Sequence, residues 1–331
     1  MKSNFIYALI SLMLLSACSN DAKYKVAFLN PAKNRPRFVK EGFFMAERLK
    51  QLGAKAILID SDDNDALQLK QGMKALDDGI DLLIITSVNG NTIAPLVREA
   101  KKRNVPVIAF DRLINNSDYD LFVQGNNFDN AQQFVNTALQ HKPKGNYVVL
   151  AGDRFDRNGI ALKNGIDSLL KPHITKGDIN VVYESYIENW SKENAKYELE
   201  QVIQSFGKNI DVIISCNDPM AAGSVEVLQK HNMNNVVVTG QDAELEAVQH
   251  VYQGLQTMTI YHPHKELGYK TAELAIDILK GKSIKSMINS ETYNGLLNIP
   301  TVQIKSIAIT KDNIGKELVE AGEYTWDEIK R

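Results

Sequence analysis

The chain has 331 residues, 44% hydrophobic and 24% charged, with a formal net charge of −2. Those proportions are ordinary for a globular protein, and the near-neutral balance gives no reason to expect nucleic acid or an anionic membrane face as partner. The length suits two domains.

Met1-Lys2 precede an apolar stretch from Phe5 to Leu15, which is too short to span a bilayer. A positive start, a short apolar segment and small residues at its end read as a secretory signal. Leu15-Ser16-Ala17-Cys18 has the pattern of a bacterial lipobox. It resembles the site where lipoprotein precursors are lipidated on the cysteine and cut just before it. Lipid on Cys18 would tether the protein to a membrane surface without a spanning helix, in the periplasm or at the cell surface. Residues 1–18 are thus expected to be signal peptide and lipobox, and 19–23 a polar leash. Cys216 remains as the single thiol of the exported domain, where no internal disulfide can form. It ends the run Asp211-Val212-Ile213-Ile214-Ser215 and reads as buried and inert.

Beyond the leash, strand-like apolar runs alternate with helical stretches. The first series of runs is Lys25–Asn30, Ala54–Asp60, Asp81–Thr86, Val105–Phe110 and Leu121–Gly125. A second series follows at Gly145–Gly152, Ile179–Ser185, Asp211–Cys216, Asn234–Gly240 and Gln256–Tyr261, with a further strand expected over Thr301–Thr310. Helices are expected between them, for example over Phe38–Leu52, Asp65–Asp78, Ala94–Arg103 and Asn130–His141. Ala66, Leu69, Met73, Leu76 and Ile80 have the spacing of an amphipathic helix packed on a sheet. Continuous apolar runs joined by helices imply parallel sheets with right-handed crossovers. The fold class is α/β, with two doubly wound parallel-sheet lobes of five or six strands each.

Polar groups recur where these runs end. Asn30, Asp111-Arg112, Asp153 with Asp156, Asn217-Asp218 and Gln241-Asp242 all follow apolar strands. In open α/β sheets ligands sit beyond the carboxyl ends of the strands. Strand ends from both halves carrying such groups point to one cleft between two lobes. Asp218, beside Asn217, reads as a cap for the following helix.

Several stretches are recognisable: Asp111-Arg112-Leu113-Ile114-Asn115, Glu193-Asn194-Ala195, Asn217-Asp218, Gly240-Gln241-Asp242-Ala243, Gln256-Thr257-Met258-Thr259-Ile260-Tyr261 and Asn294-Gly295-Leu296. Through them the chain resembles the periplasmic sugar-binding proteins of the ribose/galactose type, in particular their xylose-type branch. The resemblance implies two lobes joined by three crossing strands near Gly125, Ile260 and Leu296. One lobe would comprise 24–125 with 261–295, the other 126–260 with 296–331. It also implies ligand contacts at Arg37, Asp111, Arg112, Asp156, Asn158, Trp190, Asn217 and Asp242, with Phe38 at a position that is aromatic in the relatives. His262 stands where the xylose-type pattern has a lysine that reaches the sugar, and it is carried as a contact. Asn34-Arg35-Pro36-Arg37 also departs from the pattern, so Arg35 competes with Arg37.

These residue types suit a polyol. Asp111, Asp156 and Asp242 accept hydrogen bonds, Arg37 and Arg112 donate them, and Asn158 and Asn217 can do both. Trp190 and Phe38 offer flat faces for the C–H patches of a sugar ring. The expected ligand is a monosaccharide, most simply D-xylose, and the expected motion is hinge closure. The expected partner is an ABC permease, with a membrane sensor kinase as the alternative and ribose, glucose or galactose as other ligands. A monomer without cofactor, metal or catalytic residue is expected, because the chain shows no phosphate loop, dinucleotide fingerprint or serine elbow. His262-Pro263-His264 lacks a third metal ligand nearby in sequence.

Overall fold

The computed structural model describes residues 22–331, so the expected signal segment and Cys18 lie outside the described residues. In chain order the first elements are β1 (Tyr24–Asn30), α1 (Pro36–Gln51), β2 (Ala54–Asp60), α2 (Asp65–Asp77), β3 (Leu82–Ile85), α3 (Ala94–Lys102), β4 (Val107–Phe110) and β5 (Leu121–Gly125). There follow α4 (Asn127–His141), β6 (Gly145–Ala151), α5 (Arg157–Lys176), β7 (Ile179–Tyr186), α6 (Lys192–Phe206), β8 (Val212–Ser215), α7 (Asp218–Lys230), β9 (Val237–Val238) and α8 (Leu245–Gln253). The chain closes with β10 (Thr259–Tyr261), α9 (His264–Leu279), β11 (Ser290–Tyr293), β12 (Asn298–Ile304), β13 (Ile307–Ile309) and the single turn α10 (Trp326–Ile329).

The first lobe is a seven-stranded sheet in the order β11-β12-β5-β4-β3-β1-β2. All its pairings are parallel except β11 with β12. Alternation along the strands explains why the apolar runs are continuous. Val26, Phe28, Leu82 and Ile84 pack under α1 and α9 with Met45, Leu49 and Leu267. Their sequence neighbours Ala27, Leu29, Leu83 and Ile85 pack on the other face with Leu76, Leu96 and Val97. Both faces are covered, so neither can be polar.

In the second lobe β7-β6-β8-β9 form a parallel sheet, and β10 pairs antiparallel with β13. The pair continues the sheet, because Thr257 donates to the Val238 carbonyl and Ile260 to the Gly240 carbonyl. One apolar cluster fills this lobe, with Tyr147, Ile214 and Met220 fully buried. Cys216 belongs to it, and burial pushes its thiol up to about 12, so it is an inert core residue. The C-terminal segment packs against this lobe, with Ile314, Leu318 and Ile329 against Val248 and Tyr261.

The expected division into two sheets of five or six strands is corrected, because the first sheet has seven, and so is the expected further strand. The stretch Thr301–Thr310 is not one strand: β12 pairs with β5 in the first lobe, whereas β13 pairs with β10 in the second. The third crossing therefore falls at Lys305-Ser306, not near Leu296, and residues 296–304 belong with the first lobe. The crossings after β5, β10 and β12 meet at one point. A Cβ added to Gly125 would stand 3.3 Å from the His262 ring and from Ser306 Oγ. Among the described residues no helix is long and apolar enough to cross a membrane.

Candidate ligand-binding site

A cavity of about 730 Å³ opens between the lobes, within the roughly 300–1,000 Å³ of small-molecule sites. Arg37, Phe38, Asp111, Arg112, Asp156, Asn158, Trp190, Asn217 and Asp242 all line it. The first lobe supplies Arg37 and Phe38 from the start of α1, and Asp111 and Arg112 from the end of β4. The second supplies the other five from four separate loops or helix starts.

Arg37 is the centre of the polar network. Its Nε donates to Glu41 Oε1 at 2.9 Å, one helical turn on, and Nη1 donates to Asp242 Oδ1 at 3.2 Å in the opposite lobe. Nη2 is paired with Asp111. Burial alone would lower its pKa, but the charges of Asp111, Glu41 and Asp242 outweigh that and hold it raised. For Asp111 burial is the larger effect, only partly offset by Arg37, and its carboxyl is pushed up to about 6. Burial likewise raises Asp242 against the opposing pull of Arg37.

Arg112 repeats the pattern on a smaller scale. Its Nε lies 3.3 Å from Asp156 Oδ2 across the cleft, and Nη1 donates to the Ser87 carbonyl at 3.1 Å. The Phe38 ring lies 5.3 Å from the Arg37 guanidinium carbon and 5.7 Å from that of Arg112. This cation–π stacking holds the ring at the cavity wall.

Three second-lobe polar groups also serve the backbone or the other lobe. Asp156 caps α5 by accepting from the Asn158 N–H at 2.9 Å, leaving Oδ2 for Arg112. Asn217 caps α7 by accepting from the Met220 N–H at 3.0 Å. Its Nδ2 also donates to the Trp190 carbonyl at 3.4 Å, which leaves one amide N–H without a partner in the structure. Asn158 accepts from Asn127 at 2.9 Å and donates across the cleft to the Asp111 carbonyl at 3.1 Å. The cap of α7 is therefore Asn217 rather than Asp218.

Asp218 instead anchors the Asp242 loop. Fully buried, it accepts from Thr259 Oγ1 at 2.8 Å, from the Glu244 N–H at 2.8 Å and from Gln256 Nε2 at 3.3 Å. Burial and the nearby Asp242 charge raise its pKa well above the ordinary carboxylate value. The two particular motifs now have a physical reading. Gly240 is required because a Cβ there would overlap Asp218 and Gln256. Gln241 accepts from Asn130 at 3.1 Å, and the Ala243 N–H donates to Thr259 at 3.1 Å. Gly-Gln-Asp-Ala and Gln-Thr-Met-Thr thus form one scaffold that presents Asp242.

Backbone strain concentrates at the same places. Asp111, Asn189, Trp190 and Asp242 have φ of 61°, 56°, 53° and 100°. Such values are costly for residues with a Cβ and persist where the surroundings over-determine them. Trp190 is the clearest case. Asp153 accepts from the Asn189 N–H at 2.6 Å, and the indole lies so close on Gly152 that any side chain there would overlap it.

His262 does not line the cavity. It is 2% exposed, behind Asp242, with Nε2 3.5 Å from Asp242 Oδ1 and Nδ1 3.0 Å from Ser306 Oγ. Burial, with Arg37 and His264 nearby, lowers its pKa well below the usual imidazole value, so it is neutral at pH 7. Arg35 is at the cavity mouth, 3.2 Å from Asp63, whereas Arg37 reaches the interior. Residues that sequence reasoning missed include Glu41 and His264, fully or almost fully buried and 3.3 Å apart. Phe155, at the mouth, is 74% exposed. Among the described residues no cluster of three or more His, Cys, Asp or Glu is placed to hold a metal ion.

Two α/β lobes, three crossings and a polar cleft between them define a solute-binding architecture. The chain belongs to the periplasmic binding protein family, whose domain matches residues 26–283. It is 30% identical to a D-xylose-binding periplasmic protein of Haemophilus influenzae, over 99% of this chain and 98% of the relative. The D-xylose-binding periplasmic protein of Escherichia coli is 28% identical, over 96% of each chain. Among solved structures, an ABC transporter solute binding protein from Clostridium phytofermentans with bound β-D-glucose is similar at a TM-score of 0.84 and 25% identity. That match covers 92% of this chain and 100% of the other.

Proposed function

We propose that this protein captures a monosaccharide, D-xylose foremost, between its lobes and delivers it unaltered to the permease of an ABC transporter. The observation that carries this is the convergence of nine side chains from two lobes on one cavity. Carboxylates, guanidinium groups and an amide NH₂ read the hydroxyl edge, while Trp190 and Phe38 cover the ring faces. Bonds with one charged partner contribute roughly 1.5–3 kcal/mol each, and a missing hydroxyl leaves a buried group unpaired, so analogues are rejected sharply. The two xylose-binding relatives, similar along nearly their whole length, favour the pentose. Both are periplasmic proteins, which supports export here, with Cys18 as the lipid anchor.

A thermal-shift screen over aldoses tests the reading, because a ligand bound only by the native state raises the melting midpoint. D-xylose is expected to give the largest rise. A larger rise with another aldose reassigns the sugar. No rise with any monosaccharide, or conversion of a pentose to product, overturns the proposal.

A further inference from the structure

A second polar cluster ties the lobes together on the hinge side of α1, away from the cavity. Glu323 lies in the C-terminal segment packed on the second lobe, and its side chain is only 6% exposed. Its Oε2 accepts from Tyr261 Oη, of the same lobe, at 3.3 Å. Its other oxygen reaches the first lobe, where it is paired with Lys40 of α1 and lies 3.7 Å from His264 Nε2 at the start of α9. The next residue, Tyr324, donates to the Ala243 carbonyl at 2.9 Å, directly beside Asp242. Lys40 Nζ stands 4.3 Å above the Tyr324 ring.

This cluster is continuous with the ligand site. Arg37, Lys40 and Glu41 occupy one stretch of α1. Glu41 Oε1 receives Arg37 Nε on the cavity side and lies 3.3 Å from His264 Nδ1 on the other. The polar path from Asp242 therefore runs through Arg37, Glu41 and His264 to Glu323. Each group on it is at least nine-tenths buried apart from Asp242. Because Glu323 belongs to the second lobe and Lys40 and His264 to the first, these contacts are made between the lobes rather than within either one.

We infer that Glu323 and Lys40 are positioning residues for ligand capture, forming a latch between the C-terminal segment and α1 that sets how far the closed state is populated. The inference rests on the ligand-binding reading of the cavity but not on which sugar fills it. The latch contributes to affinity without touching the ligand, since a ligand's apparent affinity falls with the population of its competent state.

The test is small-angle scattering of the ligand-free protein, with D-xylose titrations by calorimetry, on wild type, Glu323→Gln, Lys40→Met and the double variant. Each single variant is expected to enlarge the ligand-free radius of gyration and to weaken sugar binding at least fivefold, chiefly through faster release. The double variant is expected to be no worse than the poorer single, because both remove one contact. Lys40 is the more exposed partner, so Lys40→Met keeps the test valid should Glu323→Gln misfold. Scattering identical to wild type in the folded variants overturns the latch, as do additive effects in the double variant. Failure of wild type to bind any sugar overturns the ligand-binding reading instead, and the scattering comparison still decides the latch.

Discussion

The two lobes share a design of parallel strands with helices on both faces, yet the guanidinium groups inside the cleft come from only one of them, whereas both supply carboxylates. The first contributes both cavity guanidinium groups that face the interior, Arg37 and Arg112, from two places in the chain. The second contributes Asp156 and Asp242 with the amides of Asn158 and Asn217, from loops that also cap helices. Closure therefore pairs Arg37 with Asp242 and Arg112 with Asp156. Because attraction between the halves is divided between cleft pairs and the hinge-side contact of Lys40 with Glu323, a polyol inserted among the cleft groups need not separate the lobes. In the proposed complex the Arg–Asp pairs hold these groups pre-oriented, which reduces the ordering cost of binding.

The strongest way to break this asymmetry is to remove its central cation. Arg37→Met strands Asp111 and Glu41 as buried carboxylates and should destabilise the fold by about 3–5 kcal/mol, with sugar binding lost. Denaturant titration and calorimetry on the same sample check both effects. Trp190→Ala acts on the other lobe and should weaken binding at least tenfold, about 1.4 kcal/mol, with little loss of stability because the indole is only partly buried. Wild-type affinity in that variant would remove the ring from the site.

A smaller effect comes from pH. Asp111 is held up at about 6 chiefly by burial, and in the proposed complex it is the ionised form that pairs with Arg37 and accepts from sugar hydroxyls. Apparent affinity should be level between pH 7 and 8 and fall by up to about tenfold per unit below pH 6, with proton release on binding at pH 5. For stability the sign is the reverse. Between about pH 4 and 6 the folded site binds a proton that the unfolded chain has lost, so this group's contribution declines as pH rises through that window. Calorimetry in buffers of different ionisation enthalpy measures the released proton.

Much of this arrangement is legible in the sequence, because parallel strands buried on both faces leave uninterrupted apolar runs and their ends must carry the polar groups. The runs at residues 25–30, 54–60 and 121–125 coincide with β1, β2 and β5. What sequence could not give is equally physical. Strand β11, Ser290-Glu291-Thr292-Tyr293, is a polar edge strand with no apolar run to mark it. The crossing at Lys305-Ser306 carries no glycine or proline, so β12 and β13 read as one strand. Glu41 and His264 look like the solvated positions of amphipathic helices, and only the packing of α1 against α9 buries them. His262 stands at a position that family likeness assigns to a contact, yet the close meeting of the crossings at Gly125 and Ser306 holds its ring behind Asp242.

The most direct measurement is calorimetric titration of D-xylose into two variants, Arg112→Ala from the first lobe and Asn217→Ala from the second, beside wild type. One sugar per chain in wild type, and at least tenfold weaker binding in each variant, is the result predicted for a ligand gripped from both sides. Full affinity in either variant, with the other impaired, would mean that a single lobe holds the sugar and would contradict the shared cleft.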